Sequence, residues 1–518
     1  MGIFFTPCLS RPNKTIRSWA KSEMLKDKKN YYVHTVPLTV TPYADRKLRG
    51  RFKAAEQFYN AVLGETEKRR RKYQSHPLYL QAVKLDKTTS QKERKEFFRQ
   101  AATETGYYKA SSKKNGRDNS VVQYGYQTVR KSWIEDCLDA HSCNGLSARA
   151  FAASEKIIFN KNGRRAKKVN FCGSRNPMAS VEGGSIKSPI TWKNNEVIWG
   201  KLKFPPLMQE GDEKDEYVLA HPEIVRYVRI TRRFIHGQWR YYGQLTCLGN
   251  PVSKSKHILG KGKIGLDLGP STIAYVGENC AVLKRFCAEL KLATRQTKLL
   301  ERHIDRQRRA NNPENYNENG TTKKGAKKWK SSKRLKIAQN KLKESRRKEA
   351  EYRKCLQGQL VNKIRSEGDI ALLEKLDYTA WQRRRKTKKG SKKGFGKSVG
   401  RNAPGMFVQI LKNRFASTEG QVVEINPYEA RLSQTCPNCG AIKKKTLKER
   451  VHSCECGYVM QRDLTSALLA ITVDPETKKV NAEMAKKLSR ERGSLLQAAF
   501  TGFNQQIGNL VSTPYRKR

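Results

Sequence analysis

Apolar positions recur along this chain with two different periods, and the switches between them divide it into segments. Residues 30–42, NYYVHTVPLTVTP, alternate and are rich in β-branched and aromatic side chains, which predicts a strand. From Asp45 to Gln74 the period lengthens: Leu48, Phe52, Ala55, Phe58, Tyr59 and Val62 fall on one helical stripe. Helical patterns follow at 91–104 and 119–158. Residues 165–258 return to strands with turns at Gly173, Gly183, Gly184 and Gly200, the clearest being YVRITRRF (227–234) and QWRYYGQLTCL (238–248). The expectation is a β domain interrupted by a helical insertion, so that two segments distant in sequence form one domain.

The character changes at Lys261. KGKIGLDLG (261–269) and STIAYVGE (271–278) read as two strands joined by a turn. Two long basic helices are expected at 282–310 and 326–366, with the polar linker NNPENYNENGTTKKG as an exposed hairpin tip. DIALLEKL (369–376) reads as a buried strand, 383–402 as a Gly/Lys-rich loop, 404–416 as a helix and QVVEINP (421–427) as a strand. Helical pieces follow Val473, and no regular repeat is present.

Charge narrows the function classes. The 518 residues hold 106 Lys and Arg against 47 Asp and Glu, a net charge of +59. Such an excess repels itself unless a polyanion neutralises it, and nucleic acid does so by releasing counterions. No stretch is long and apolar enough to span a bilayer, and MGIFFTPCLSRPN lacks the apolar run of a secretion signal. Eight of the 12 cysteines are scattered without a disulfide framework, as suits a reducing compartment.

The other four cysteines are ordered. Cys436 and Cys439 in TCPNCG precede Cys454 and Cys456 in HSCECGY by a fourteen-residue spacer. Two tight pairs on facing turns supply the four tetrahedral ligands that structural zinc takes. His452 lies inside this ribbon and, with four thiols available, is expected at its surface. Asp463 in QRDLTSALLA opens an apolar helix shortly afterwards. In KIGLDLG, Ile264, Leu266 and Leu268 share one strand face while Gly265 and Asp267 take the other. Glu374 follows four apolar residues in IALLEKL. Each acid alone has an ordinary reading: Asp463 as a helix N-cap, Glu374 as an ion-pair partner, Asp267 as a strand end. Together, two strand acids and one helix acid can converge on divalent cations, as two-metal phosphodiester cleavage requires.

Asp267 in GLDLG, Glu374 in LLEKL and Asp463 in QRDLTSA resemble the three split motifs of a RuvC nuclease domain. A four-Cys ribbon before the third motif, entered through LSQTCPNCG, is similar to the TnpB proteins and the CRISPR type V effectors. The resemblance covers about 260–472 and departs from the family at Thr465, where Asn is common, and in the C-x-C spacing of the second pair. It implies an α+β multidomain fold: a β-barrel-like wedge domain with a helical recognition insertion, then an RNase-H-like (RuvC) α/β domain with an inserted zinc ribbon. The expected boundaries are 1–44 and 161–259 for the wedge, 45–160 for the insertion, 260–427 for the nuclease core, 428–460 for the ribbon, and 461–518 for the third motif and tail. The implied activity is RNA-guided cleavage of double-stranded DNA beside a short adjacent motif, with Asp267, Glu374 and Asp463 holding two Mg2+ ions. Cys436, Cys439, Cys454 and Cys456 would hold structural zinc, and guide RNA would be a stable component. A single site would cut both strands, because His452 is the one histidine between Glu374 and Asp463 and an HNH domain needs more. The implied location is the prokaryotic cytoplasm, at the nucleoid during action.

Two rival readings are an RNA-guided repressor that cuts little, and a RuvC-like transposase or nuclease acting without guide RNA. The basic residues expected on nucleic acid are Lys327, Lys328, Lys330, Lys333, Arg334, Arg346 and Arg347 of the second helix, and Arg383, Arg384 and Arg385 of the loop. Arg240 and Tyr241 are expected to join them from a strand that mixes cations with rings. Trp329 is expected in the core.

Overall fold

The computed structural model describes residues 30–85, 90–107, 137–158, 168–174, 176–183, 188–325, 327–382, 385–387, 390–392, 394–446 and 449–511. Of the sequence expectations, the helical pattern at 119–136 and the positions Arg383 and Arg384 lie outside them. The chain divides into two compact units, Met1–Val252 and Ser253–Arg518.

The first unit runs β1 (Tyr31–Pro37), α1 (Pro42–Ser75), α2 (Pro77–Lys84), α3 (Gln91–Glu104), α4 (Ala140–Ile158), β2 (Ser180–Glu182), β3 (Ile190–Lys193), β4 (Glu196–Trp199), β5 (Leu202–Phe204), α5 (Glu213–Ala220), β6 (Val225–Ile235) and β7 (Gln238–Leu248). β1 pairs antiparallel with β7, Val36 opposite Gly243, in a sheet of order β1-β7-β6-β2. β1 and β7, distant in sequence, therefore share one sheet. A Cβ at Gly243 would lie 2.9 Å from the Val197 side chain, so the missing side chain lets the three-stranded β3-β4-β5 sheet press onto this one. Thr41 caps α1 by accepting from the Ala44 N–H, and Pro42 fits its first turn. All six residues of the expected α1 stripe are buried. They share one core with the sheet: Phe52 meets the rings of Trp199 and Tyr241. Further along, Glu67 accepts two guanidinium bonds from Arg70 and one from the Ser154 hydroxyl, so these buried charges are paired. Helix α5 falls where strands were expected. Its first turn is acidic and capped by Asp212, and Asp215 bonds His34 of β1 at 2.7 Å.

The second unit runs β8 (Lys263–Leu268), β9 (Thr272–Val276), β10 (Ala281–Arg285), α6 (Lys291–Ala310), α7 (Lys333–Arg365), β11 (Ile370–Glu374), β12 (Arg385–Thr387), β13 (Gly390–Lys392), α8 (Gly396–Asn402), α9 (Pro404–Ala416), β14 (Gln421–Ile425), α10 (Pro427–Ala430), β15 (Val451–Ser453), β16 (Val459–Gln461), α11 (Arg462–Ile471), α12 (Ala482–Glu491) and α13 (Gly493–Val511). Five strands form one mixed sheet, β10-β9-β8-β11-β14. β8, β9 and β10 are successively antiparallel, whereas β11 and β14 run parallel to β8. Ile264, Leu266 and Leu268 point into a core closed by Leu360, Val361 and Ile364 of α7 and Phe407 and Leu411 of α9. The opposite face packs Ala274, Val276 and Leu283 against Leu464, Ala467 and Leu468 of α11. The result is a sheet with helices on both faces.

Two expectations change here. The helix expected from 282 begins at Lys291, because Ala281–Arg285 instead pairs with β9 as an edge strand. Leu283, Phe286 and Leu290 are spaced as on a helix, yet they are buried from a strand, a turn and a short 3-10 segment. The second helix begins at Lys333, where the Ser332 hydroxyl accepts from Leu335 N–H, so Lys327, Lys328 and Lys330 precede it. The linker before it is clamped. Asn312 donates to the carbonyls of Arg308 and Lys330 and accepts from Lys330 N–H, while Asn315 donates to the Lys328 carbonyl.

Candidate active site and metal centre

Strand register places the first two acids. Leu373 of β11 pairs with Leu266 of β8, so the next residues along the parallel strands, Glu374 and Asp267, are neighbours on the same rung. The third acid comes from α11, which crosses β8 at Gly265. An added Cβ at Gly265 would sit 1.8 Å from the Ala467 carbonyl oxygen. No side chain other than hydrogen fits there, and that close approach lowers α11 onto the strand. Asp463 stands one turn before Ala467, so it is set above Asp267, two residues beyond Gly265.

Asp463 does not cap its helix. The Gln461 side chain does, accepting from Leu464 N–H at 2.8 Å. The Asp463 carboxylate is buried, accepts from the Thr272 hydroxyl at 3.1 Å and lies 3.4 Å from the Arg462 guanidinium. Asp267 is held well above the usual carboxylate range, first by burial and then by the negative charges of Asp463 and Glu374; the positive charge of Arg462 partly offsets this. Burial also raises Glu374. Tyr378 is raised by burial and by the field of Glu424, Asp267 and Glu374. Asp463 and Glu374 oppose the ionisation of Asp267 at the end of the sheet, a crowding that a divalent cation would relieve, and an all-oxygen donor set suits Mg2+. Thr465 is buried, and its hydroxyl donates to the Gln461 carbonyl at 3.0 Å rather than to an acid.

The four cysteines are gathered more tightly. Their sulfurs all lie within 4.8 Å of one another, the one such His/Cys/Asp/Glu group among the described residues. Cys436 Sγ is 3.6 Å from Cys456 Sγ, and Cys439 Sγ is 3.5 Å from Cys454 Sγ. Tetrahedral zinc with bonds of about 2.3 Å needs sulfurs about 3.8 Å apart, so the cluster fits the metal. Each knuckle closes on a glycine in the left-handed region: Gly440 N–H donates to the Cys436 carbonyl and Gly457 N–H to that of Cys454. Burial pushes the Cys436 thiol up to about 12, while the Asn438 amide and the Tyr458 N–H draw Cys456 down to about 6.

His452 corrects its surface expectation. It is 2 % exposed, meets the Tyr458 ring edge-on and bonds Lys445 through Nδ1. Strand alternation explains this: in β15 Val451 and Ser453 face out and His452 faces in. Tyr241 is likewise buried at 3 %, its hydroxyl donating to Asp45 at 2.8 Å, so it does not present a ring to a ligand. Arg240 beside it is exposed. Trp329 is not in the core: it is half-buried under the Arg308 guanidinium at 3.9 Å, with the Tyr316 ring at its edge. Lys328, Lys330, Lys333, Arg334 and Arg346 are exposed and Lys327 is half-buried; Arg346 pairs with Glu301, and Arg347 with Glu344 of its own helix. Arg385 lies in β12. Sequence reading missed Gly265, Thr272, Tyr378 and Arg462. The first could have been found, because a glycine two residues before an acid on the same strand face marks a close approach.

Residues 405–469 match the family model described as Cas12f1-like, TNB domain. A cryo-EM structure of a Cas12f1–sgRNA–target DNA complex aligns with a TM-score of 0.43 at 14% identity, covering 87% of this chain and 100% of that one. A cryo-EM structure of a CRISPR-Cas12f ternary complex aligns with a TM-score of 0.26 at 14% identity, covering 87% and 99%. No curated protein matches the chain. No helix among the described residues is long and apolar enough to cross a membrane. Over residues 405–469, which contain all four cysteines and Asp463, the chain is similar to the compact type V, TnpB-like effectors.

Proposed function

We propose that this protein is an RNA-guided DNA endonuclease with one RuvC-type active site. The observation that carries the reading is the contact of α11 with β8 at Gly265, which gathers Asp463, Asp267 and Glu374 at one end of a mixed sheet. The sheet order, with three antiparallel strands and two parallel additions, agrees with the RNase-H-like expectation. The matched segment that spans the cysteine cluster and Asp463 supports the effector class, and the +59 charge supports stable partnership with guide RNA and target DNA.

Asp267, Glu374 and Asp463 would hold Mg2+, which when bound activates water and stabilises the leaving oxygen of the phosphodiester. The chain's own residues prepare that site. Thr272 orients the Asp463 carboxylate, and Arg462 lowers the cost of crowding three negative charges. Gly265 sets the distance between helix and strand. Cys436, Cys439, Cys454 and Cys456 would hold zinc and stiffen the ribbon that leads into α11. Recognition of the target sequence would come from base pairing with the guide, and the protein would read a short adjacent motif.

The test begins with the RNA that co-purifies from the native locus. A single abundant species with a constant scaffold and a variable end is expected, and the loaded protein should cut matching duplex DNA with Mg2+. Asp267→Ala should bind the same RNA and target without cutting. Heterogeneous RNA would remove the guided class, and wild-type cutting by Asp267→Ala would remove the catalytic assignment.

A further inference from the structure

Helix α11 carries two buried hydroxyl side chains besides its acid, Thr465 and Ser466. A hydroxyl inside a helix has an ordinary outlet, the carbonyl one turn back. Thr465 takes it, donating to the Gln461 carbonyl at 3.0 Å. Ser466 does not. It is 3 % exposed, and its hydroxyl finds no hydrogen-bond partner among the described residues. A buried polar group left alone costs stability, so this one asks for a reason.

Its position supplies one. Ser466 follows Asp463 by three residues, which puts both on one side of α11. It precedes Ala467, whose carbonyl oxygen lies over Gly265 of β8. Asp267 stands two residues beyond Gly265 on the same strand face. The Ser466 hydroxyl is near enough to Asp267 to act on its carboxyl group. Asp463 shows what such a hydroxyl does: Thr272, at the start of β9, donates to its Oδ2 at 3.1 Å. A carboxylate that holds a cation through one oxygen keeps its direction when the rest of the group is hydrogen-bonded. Thr272 reaches from strand to helix for Asp463, and Ser466 is placed to reach from helix to strand for Asp267.

We propose that Ser466 is a positioning residue for the divalent-cation site: when a cation is held, its hydroxyl donates to the Asp267 carboxylate and fixes which oxygen faces the ion. This rests on the nuclease reading and deepens it. Ser466 acts through Asp267, and the bond-breaking groups remain the acids. Its hydroxyl opposes folding when no cation is held and favours the cation once it arrives. Those two effects have opposite signs, and a serine that merely fills space would show neither.

The test reads both signs on the full-length protein freed of nucleic acid. Thermal melts are run without added divalent cation. Binding of Mn2+, a paramagnetic ion with the same taste for oxygen ligands, is followed by the loss of its free electron-spin-resonance signal. The ion at the acids is the part of that binding which Asp267→Ala lacks. Ser466→Ala should melt at least as high as wild type, yet hold this ion about tenfold more weakly, as the loss of a partner behind a metal ligand does. Ser466→Cys keeps the volume with only a weak donor and should bind the ion as weakly as Ser466→Ala. Wild-type affinity in either variant, or a lower melting temperature for Ser466→Ala, overturns the proposal. The nuclease reading is judged separately. It fails if wild type holds no more Mn2+ than Asp267→Ala, and it stands if wild type binds the ion and cuts while Ser466 has no effect.

Discussion

Replacing Gly265 with alanine adds one methyl group, and its position is set by the backbone. That methyl would stand 1.8 Å from the Ala467 carbonyl oxygen, 3.0 Å from its carbon and 3.1 Å from Ile471 Cγ1. A carbon–oxygen contact is ordinarily no closer than about 3.3 Å, so α11 must retreat from β8 by roughly 1.5 Å. The obstruction is helix backbone, and no rotamer change removes it. Overpacking of this kind costs about 1–3 kcal/mol. The effect on function should be larger, because Asp463 rides on the same rigid helix one turn away. A 1 Å displacement of a positioned group can cost about 10²-fold in rate. Single-turnover cleavage of a guide-matched duplex in Mg2+ is therefore expected to fall by about two orders of magnitude in Gly265→Ala. Zinc content and guide RNA affinity should be unchanged. A circular dichroism melt separates this from unfolding, since the folded fraction at the assay temperature should remain high. Wild-type cleavage with an unchanged melting temperature would mean that α11 does not rest on β8 at Gly265, and the account of how the acids meet would fail.

Four further outcomes follow from the structure. Because Asp267 keeps its proton to higher pH folded than unfolded, the folded state binds more protons over that window, and stability must fall as pH rises through it; in EDTA, Asp267→Asn should melt higher than wild type at pH 8 and lose this pH slope, and a parallel slope in both would contradict the crowded-acid picture. Cys436→Ser should lose the zinc measured by metal analysis together with ribbon structure, whereas Asp267→Asn should keep full zinc, and normal zinc in the serine variant would remove the ribbon assignment. Arg232 is buried with its guanidinium over the Phe52 and Trp239 rings, so Arg232→Ala should cost about 2–4 kcal/mol in denaturant unfolding with no change in salt dependence; Lys328, Lys330 and Lys333 changed together to Gln should leave the melt alone and lower the log–log salt slope of DNA binding by roughly 2–3.

Much of this architecture is legible in apolar spacing, because burial is what the spacing records. The α1 stripe from Leu48 to Val62, the alternation through Ile264, Leu266 and Leu268, and the α11 stripe all face cores as their periods require. Asp267 and Glu374 stand out for a different reason: each follows apolar residues in a buried strand, where a charge is costly. What spacing cannot record is partnership. Ala281–Arg285 has helical spacing but pairs with β9, because an edge position was open to it. Glu213–Ala220 is a helix set by its Asp212 cap and the His34–Asp215 bond, neither of which leaves a period. Tyr241 looked like a ligand-facing ring beside Arg240, yet it is the inward member of its strand, and its hydroxyl finds Asp45 almost two hundred residues earlier.

The order of segments in the chain joins the cysteine cluster directly to the helix that carries Asp463. β16 ends at Gln461 and α11 begins at Arg462, so no loop separates the cysteine ribbon from the helix that carries Asp463. Gln461 serves both: it pairs with Val451 in the ribbon hairpin, and its side chain caps α11. Arg462 returns its guanidinium to the carbonyls of Thr446 and Glu449 while lying beside Asp463. The direction of Asp463 is thus set from two sides, by Gly265 beneath the helix and by the ribbon at its start. The coupling is unequal. Losing a metal held there would free the knuckles beside β15 and β16, and the helix start would lose its anchor even though every acid remained. Neutralising an acid removes repulsion at the far end of Arg462 and leaves the cysteine geometry intact. A metal held by the four cysteines would therefore act on the direction of Asp463 from a distance, through the covalent junction at which strand becomes helix.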